Sequence, residues 1–202
     1  MAVRSETSRR ALLQATMELL DADGPQSVSL QKLSIEAIAR RAGVGKMTIY
    51  RWWPSKAALV IDSFIDNHLV QTTVDETLPP LDALREHLRS VTRIYAGPEG
   101  RLVTQLIAEC QYDEATLREF RERFWDDRHE TVLGLVRRCM AEGAMRSDVS
   151  PEVAAELIYS PLYQRMLLKL GPLDVAAADE ILDVVLRGLA PAATSSKVHS
   201  DH

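Results

Sequence analysis

No run of 18 or more apolar residues occurs in this 202-residue chain, which excludes a transmembrane helix. Aromatic residues make up only 5%, and the alternating Thr, Val and Tyr segments of an all-β protein are missing. Cysteine is limited to Cys110 and Cys139, too few for a disulfide framework. Both sit in apolar-periodic stretches and read as reduced core thiols, with a redox pair as the alternative. The opening residues Met1 to Glu6 contain no apolar segment of the secretory kind, so the expectation is a cytoplasmic protein with no membrane partner. There is no Gly-rich phosphate loop, no nucleophile elbow and no Cys/His zinc spacing. Neither a metal nor a cofactor is expected, and an enzyme is disfavoured.

What is abundant is the helix-forming set of Ala, Leu, Arg and Glu. The net charge is −5, but it is unevenly spread. Residues 1–60 carry nine Lys and Arg against five Asp and Glu, while the rest carries 15 against 24. A basic head on an acidic body is the asymmetry expected when one end of a protein meets phosphate.

Apolar periodicity predicts an all-α chain of about nine helices. Residues 7–22 form the first, and 25–33 show no clear pattern. Ser34 opens a short helix that Gly43 ends, and a second short helix runs from about Lys46 to Trp53. After Pro54, Ser55 caps a longer helix carrying Leu59, Phe64 and Leu69. Further helices are predicted from Leu81 to Tyr95, over 101–112, from Asp113 to Ala141, from Pro151 to about Leu170 with a kink at Pro161, and from Asp174 to Leu189. Gly97 to Gly100 reads as a turn. The expected division is a DNA-binding unit over 1–56, a larger helical unit over 57–190 and a disordered tail over 191–202.

The informative segment is Ile35 to Trp53. Two short helices joined by a tight Gly-containing turn are the helix-turn-helix layout. Ala39 is small where the second helix crosses the first. Gly43 falls where the turn needs a positive φ. Ile38, Ala42, Val44 and Ile49 are the buried positions. Lys46, Met47, Thr48, Tyr50 and Arg51 are left outward, on a helix short enough to lie in a major groove. Lys46 suits a guanine edge or a phosphate, Thr48 a base or phosphate, and Met47 a thymine methyl. Lys56 is expected to face the flanking phosphates, and Ser34 to aim its helix N-terminus at one. The competing reading is one more tight hairpin in a helical bundle.

Residues 34–60, with Ile38-Ala39, Ala42-Gly43-Val44, Thr48-Ile49-Tyr50, Trp53 and Lys56-Ala57-Ala58-Leu59, resemble the DNA-binding segment of the TetR family of repressors. The resemblance implies helices one to three on DNA, an inducer in the larger C-terminal domain, and a dimer built on the last two helices. The family's DNA-contacting positions fall on Ser34, Lys46, Met47, Thr48, Tyr50, Arg51, Trp52 and Lys56. Three departures stand out. Gly45 replaces a Ser or Thr cap, Trp52-Trp53 is a bulky pair with Trp53 expected in the core, and the link from Gly24 to Ile38 is about four residues longer than usual.

Beyond this segment the pattern yields candidates rather than motifs. Tyr95, Tyr112, Trp125, Tyr159 and Tyr163 either line a ligand pocket or pack the core. Gln105 and Gln164 are polar on otherwise apolar segments and suit hydrogen bonds to a ligand. His129, one turn after Asp126, reads as a solvated face or a ligand contact. The apolar helices 151–170 and 174–189 point to a homodimer interface through Val153, Leu157, Ile181 and Val185. Together these readings give a ligand-responsive regulator, most simply a repressor, that binds a pseudo-palindromic double-stranded operator as a homodimer and responds to an unknown small molecule. An activator switched by a protein partner, and a helical enzyme or adaptor that keeps the hairpin, are the alternatives.

Overall fold

The computed structural model describes residues 2–21, 28–68 and 72–189, and within them every regular element is a helix. The order is α1 (Ala2–Leu20), α2 (Ile35–Ala42), α3 (Lys46–Trp52), α4 (Lys56–His68), α5 (Pro80–Tyr95), α6 (Pro98–Cys110), α7 (Glu114–Phe120), α8 (Asp126–Ala141), α9 (Pro151–Leu168) and α10 (Val175–Leu189). A π-helical turn, Arg121–Trp125, joins α7 to α8. The stretch predicted as one helix over 113–141 is therefore continuous, with one turn wound wider.

Helices α1, α2 and α3 pack together and lean on α4, whose other side meets α7 and the π turn. The expected boundary at 56/57 falls at the first turn of that bridging helix. Helix α5 runs through the centre of the larger unit, against α6, α8, α9 and α10. Its apolar stripe of Leu84, Leu88 and Val91 is buried. On its other side Arg85 and Arg89 reach α10. Arg89 grips both oxygens of Asp179 at 2.9 and 2.8 Å, and Arg85 meets Asp179 at 3.2 Å and Asp183 at 2.6 Å.

The caps expected at Ser34 and Ser55 are present, and three more accompany them. The Ser34, Ser55, Asp113, Ser150 and Asp174 side chains each accept a backbone N–H in the first turn of the helix that follows. The predicted turn over Gly97 to Gly100 is a correction. Pro98 already starts α6, because proline at the first helical position gives up no hydrogen bond. Gly100 in that first turn lies directly on the end of α5, and a Cβ there would collide with the backbone of Tyr95. Helix α9 continues through Pro161. Cys110 and Cys139 are buried and free, and burial pushes the Cys139 thiol up to about 11. The expected tail over 191–202 and the position of Leu69 lie outside the described residues.

Candidate nucleic-acid interface and internal cavity

The hairpin is built as its residues require. Ser34 Oγ accepts the Ala37 N–H at 3.1 Å. Gly43 adopts φ 68°, ψ 28°, the left-handed conformation in which glycine carries no penalty. Val44 then returns its N–H to Ala39 O at 3.0 Å. Gly45 precedes α3 with no side-chain cap. Ile38, Ala39, Ile49 and Trp53 are buried and set the crossing of the two helices.

The opposite side of α3 is open. Met47 is 77% exposed and Tyr50 49%, and Lys46, Arg51 and Trp52 are exposed beside them. Thr48 and Ser34 are half-buried at the edge of the same face. Lys46 Nζ meets Glu36 Oε1 of α2 at 2.6 Å, which raises the lysine and lowers the carboxyl from their ordinary values. Lys56 is placed differently from the expectation. Its ammonium donates to Leu30 O at 3.0 Å and Leu33 O at 3.2 Å, so it is turned inward and pins the 28–33 segment. That segment, unreadable in the sequence, is a tight turn. Its Leu30 and Leu33 are buried, and Val28 N–H reaches Leu19 O at 2.9 Å.

Trp53, at the C-terminal end of α3, is buried and donates its indole N–H to Asp62 Oδ2 of α4 at 2.8 Å. Asp62 Oδ1 takes Arg123 Nη1 of the π turn at 3.2 Å, and Arg123 is also paired with Glu119. Arg123 in turn lines a cavity of about 300 Å³ between α4, α5, the π turn, α8 and α9. A polar chain thus runs from the end of the exposed helix to the wall of an internal chamber.

Of the eight expected ligand-binding residues, Tyr95, Trp125, His129, Tyr159 and Tyr163 line this chamber. Three do not. Tyr112 is 90% exposed at the end of α6. Gln164 is exposed on the outer side of α9. Gln105 accepts the Leu30 N–H at 2.7 Å and so ties α6 to the loop before α2. A polar residue in an apolar stripe signals a needed partner, and here that partner is backbone.

The rings are arranged around one another. Trp125 and His129 stack at 5.8 Å and 17°, Trp125 tilts onto Tyr163 at 5.7 Å, and Tyr95 meets Tyr163 edge-on with their hydroxyls 3.0 Å apart. His87, also in the wall, shares a 2.6 Å hydrogen bond between Nδ1 and the Tyr159 hydroxyl. Burial, with Arg128 adding to it, lowers His87 to about 4 and keeps it neutral. Burial also raises the Tyr95, Tyr159 and Tyr163 phenols. Arg128 lines the chamber, with its guanidinium over Phe124 at 4.2 Å. Sequence reading missed His87 and Arg128. His87 sits in the Leu84–Leu88–Val91 stripe, and Arg128 is three residues after Trp125, so both helical spacings were available as signals.

Among the expected dimer contacts, Val153 and Leu157 of α9 are exposed, at 46% and 49%. Ile181 and Val185 of α10 are half-buried against their own core. Val184, not anticipated, is the more exposed residue of that helix. Among the described residues no group of three or more His, Cys, Asp or Glu is placed to hold a metal ion, and no helix is long and apolar enough to cross a membrane.

Comparison with known proteins agrees with this layout. The family described as bacterial regulatory proteins, tetR family, matches residues 12–62, and the tetracyclin repressor-like C-terminal domain matches 75–185. The HTH-type transcriptional regulator YdeS of Bacillus subtilis (strain 168) is 32% identical over 186 residues, covering 92% of this chain and 87% of that protein. A DNA-binding transcriptional repressor TetR of Mycobacteroides abscessus is 27% identical over 190 residues, covering 92% and 95%. The crystal structure of the TetR family transcription regulator SCO0332 superposes with a TM-score of 0.75 at 29% identity, over 91% of this chain and 99% of that one. These relatives are transcriptional regulators, not enzymes. The chain belongs to the TetR family of helix-turn-helix transcriptional regulators.

Proposed function

We propose that this protein is a cytoplasmic, ligand-responsive repressor that binds a pseudo-palindromic operator as a homodimer. Residues 1–56 form the DNA-binding unit and 57–190 the effector and dimerisation unit. Two copies of α3 enter successive major grooves, about 34–36 Å apart. Lys46, Met47 and Thr48 read base edges, while Ser34, Tyr50, Arg51 and Trp52 hold the backbone. Lys56 supports them from behind by fixing the 28–33 turn.

The observation that carries ligand response is the chain Trp53–Asp62–Arg123. Arg123 belongs both to the cavity wall and to the polar contact that seats the end of the recognition helix. A ligand that moves the π turn changes how α3 is held. Its differential affinity for the two arrangements is the energy available for induction. The repressor sense is supported by the name of the Mycobacteroides abscessus relative.

The test is fluorescence anisotropy with duplexes tiling the DNA beside the protein's own gene, over a salt series. One site bound far more tightly than scrambled DNA is expected, with affinity falling steeply as salt rises. Lys46→Ala and Tyr50→Ala should each weaken that binding by about tenfold or more, with dimerisation intact. Wild-type affinity in both variants would remove α3 from the interface.

A further inference from the structure

The cavity wall carries one feature that aromatic packing does not explain. Arg128 spends Nη1 on the Phe124 carbonyl at 3.1 Å. Its Nε and Nη2 are buried and have no hydrogen-bond partner among the described residues. These two atoms form the side-on edge of a guanidinium, whose parallel N–H bonds match the two oxygens of a carboxylate. The same molecule uses that edge in this way twice. Arg89 Nε and Nη2 hold the two oxygens of Asp179 at 2.9 and 2.8 Å, and Arg146 holds Asp148 at 2.6 and 2.6 Å.

Among the described residues no acid hydrogen-bonds Arg128, and Asp127 acts on it only through its charge. Asp127 and Glu156 line the chamber but are exposed at its mouth, where water screens them. Glu119 and Asp62 are taken up by Arg123. Buried guanidinium donors without partners are costly. The rings of Tyr95, Trp125, His129 and Tyr163 beside them form a wall suited to a flat apolar body.

Resting on the effector-cavity reading, we infer that the ligand is an aromatic monocarboxylate, its carboxylate held side-on by Arg128 and its ring system against Trp125 and Tyr163. The Tyr95 and Tyr163 hydroxyls, which share a hydrogen bond at 3.0 Å, line the same chamber.

The probes are 2-naphthoate and its neutral amide, 2-naphthamide, titrated calorimetrically into the full chain at pH 7. The wild type should bind the carboxylate roughly tenfold or more tightly than the amide. Arg128→Met should abolish that preference while amide binding stays. Arg128→Lys, which keeps the charge but not the fork, should retain part of it and covers the case in which Arg128→Met does not fold. Equal binding of both probes by the wild type would overturn the carboxylate assignment and leave the effector cavity standing. A preference unchanged in both variants would overturn the role of Arg128. Binding of neither probe at millimolar concentration would overturn the aromatic-acid assignment, and the effector-cavity reading would then stand or fall on whether ligands of other classes release the operator.

Discussion

His87 enters the cavity wall from the otherwise apolar stripe of α5 and stays neutral there, at about 4 against an ordinary 6.5. Between those values the unfolded chain binds a proton that the folded chain refuses, so folding is opposed as the solution is acidified. The stabilising effect of the neutral ring is therefore fully present above about pH 6.5 and is lost as pH falls toward 4, with a slope of up to about 1.4 kcal/mol per pH unit. The carboxyls held low by arginines, such as Asp179, begin to protonate only nearer their own range, so the window from 6.5 to 5 sets them aside, and comparison with a His87 variant separates this histidine from the other four. Urea midpoints taken at pH 7, 6 and 5 should fall for the wild type. They should stay nearly level for His87→Gln, which keeps a polar group near the Tyr159 hydroxyl. Parallel pH profiles for the two proteins would assign the acid sensitivity elsewhere.

The helices meet the cavity because of how two elements end. Helix α5 stops at Tyr95, and α6 starts three residues later with Gly100 pressed on the Tyr95 backbone. Gly100→Ala must force the two helices apart. It should cost about 1–3 kcal/mol, read as a lowered thermal midpoint, and should also disturb Tyr95 in the cavity wall. A midpoint like the wild type's would mean that the α5–α6 corner yields freely. The π turn is the second such element. Its wider winding resets the phase of α8, so that Arg123, Trp125, Arg128 and His129 share one wall. Here lies the difference in what sequence could show. Periodicity located nearly every helix, because burial of a stripe repeats every three or four residues. Gly43 and Ser34 announced the hairpin, because only certain residues can hold a left-handed turn or a cap. The π turn leaves the 113–141 pattern almost unbroken, since Phe120 and Phe124 keep helical spacing, so its phase shift was invisible. Gln105, Tyr112 and Gln164 were misassigned to the cavity for a related reason. A polar or aromatic residue in a helix shows its face, but not which neighbour that face meets. For Arg128 the spacing from Trp125 was the one signal, and it was weak in an acidic, arginine-rich stretch whose residues look alike until some are buried.

At the scale of the whole molecule, the larger unit ends in two packed helices whose outer side carries exposed apolar residues among charged ones. Val153, Leu157 and Leu168 of α9 and Val184 of α10 are all exposed, and a surface of this kind on one subunit is what a second copy would cover. Ile181 and Val185 are poor probes of that contact, because they already pack on their own core, and a charge there would damage the fold and the interface alike. Leu157 and Val184 separate the two effects, since neither is needed inside the subunit. Covering the exposed half of each against a partner contributes roughly 1 kcal/mol, and an aspartate in either place also puts an unpaired charge on each side of a two-fold contact. Leu157→Asp combined with Val184→Asp should therefore sediment as a monomer with an unchanged helical circular dichroism spectrum. Because one recognition helix alone loses the effective concentration supplied by its mate, the same variant should bind the operator weakly although α3 is untouched. A double variant still dimeric at micromolar concentration would place the contact on another face. A monomer that kept full operator affinity would show that the two half-sites are not read together.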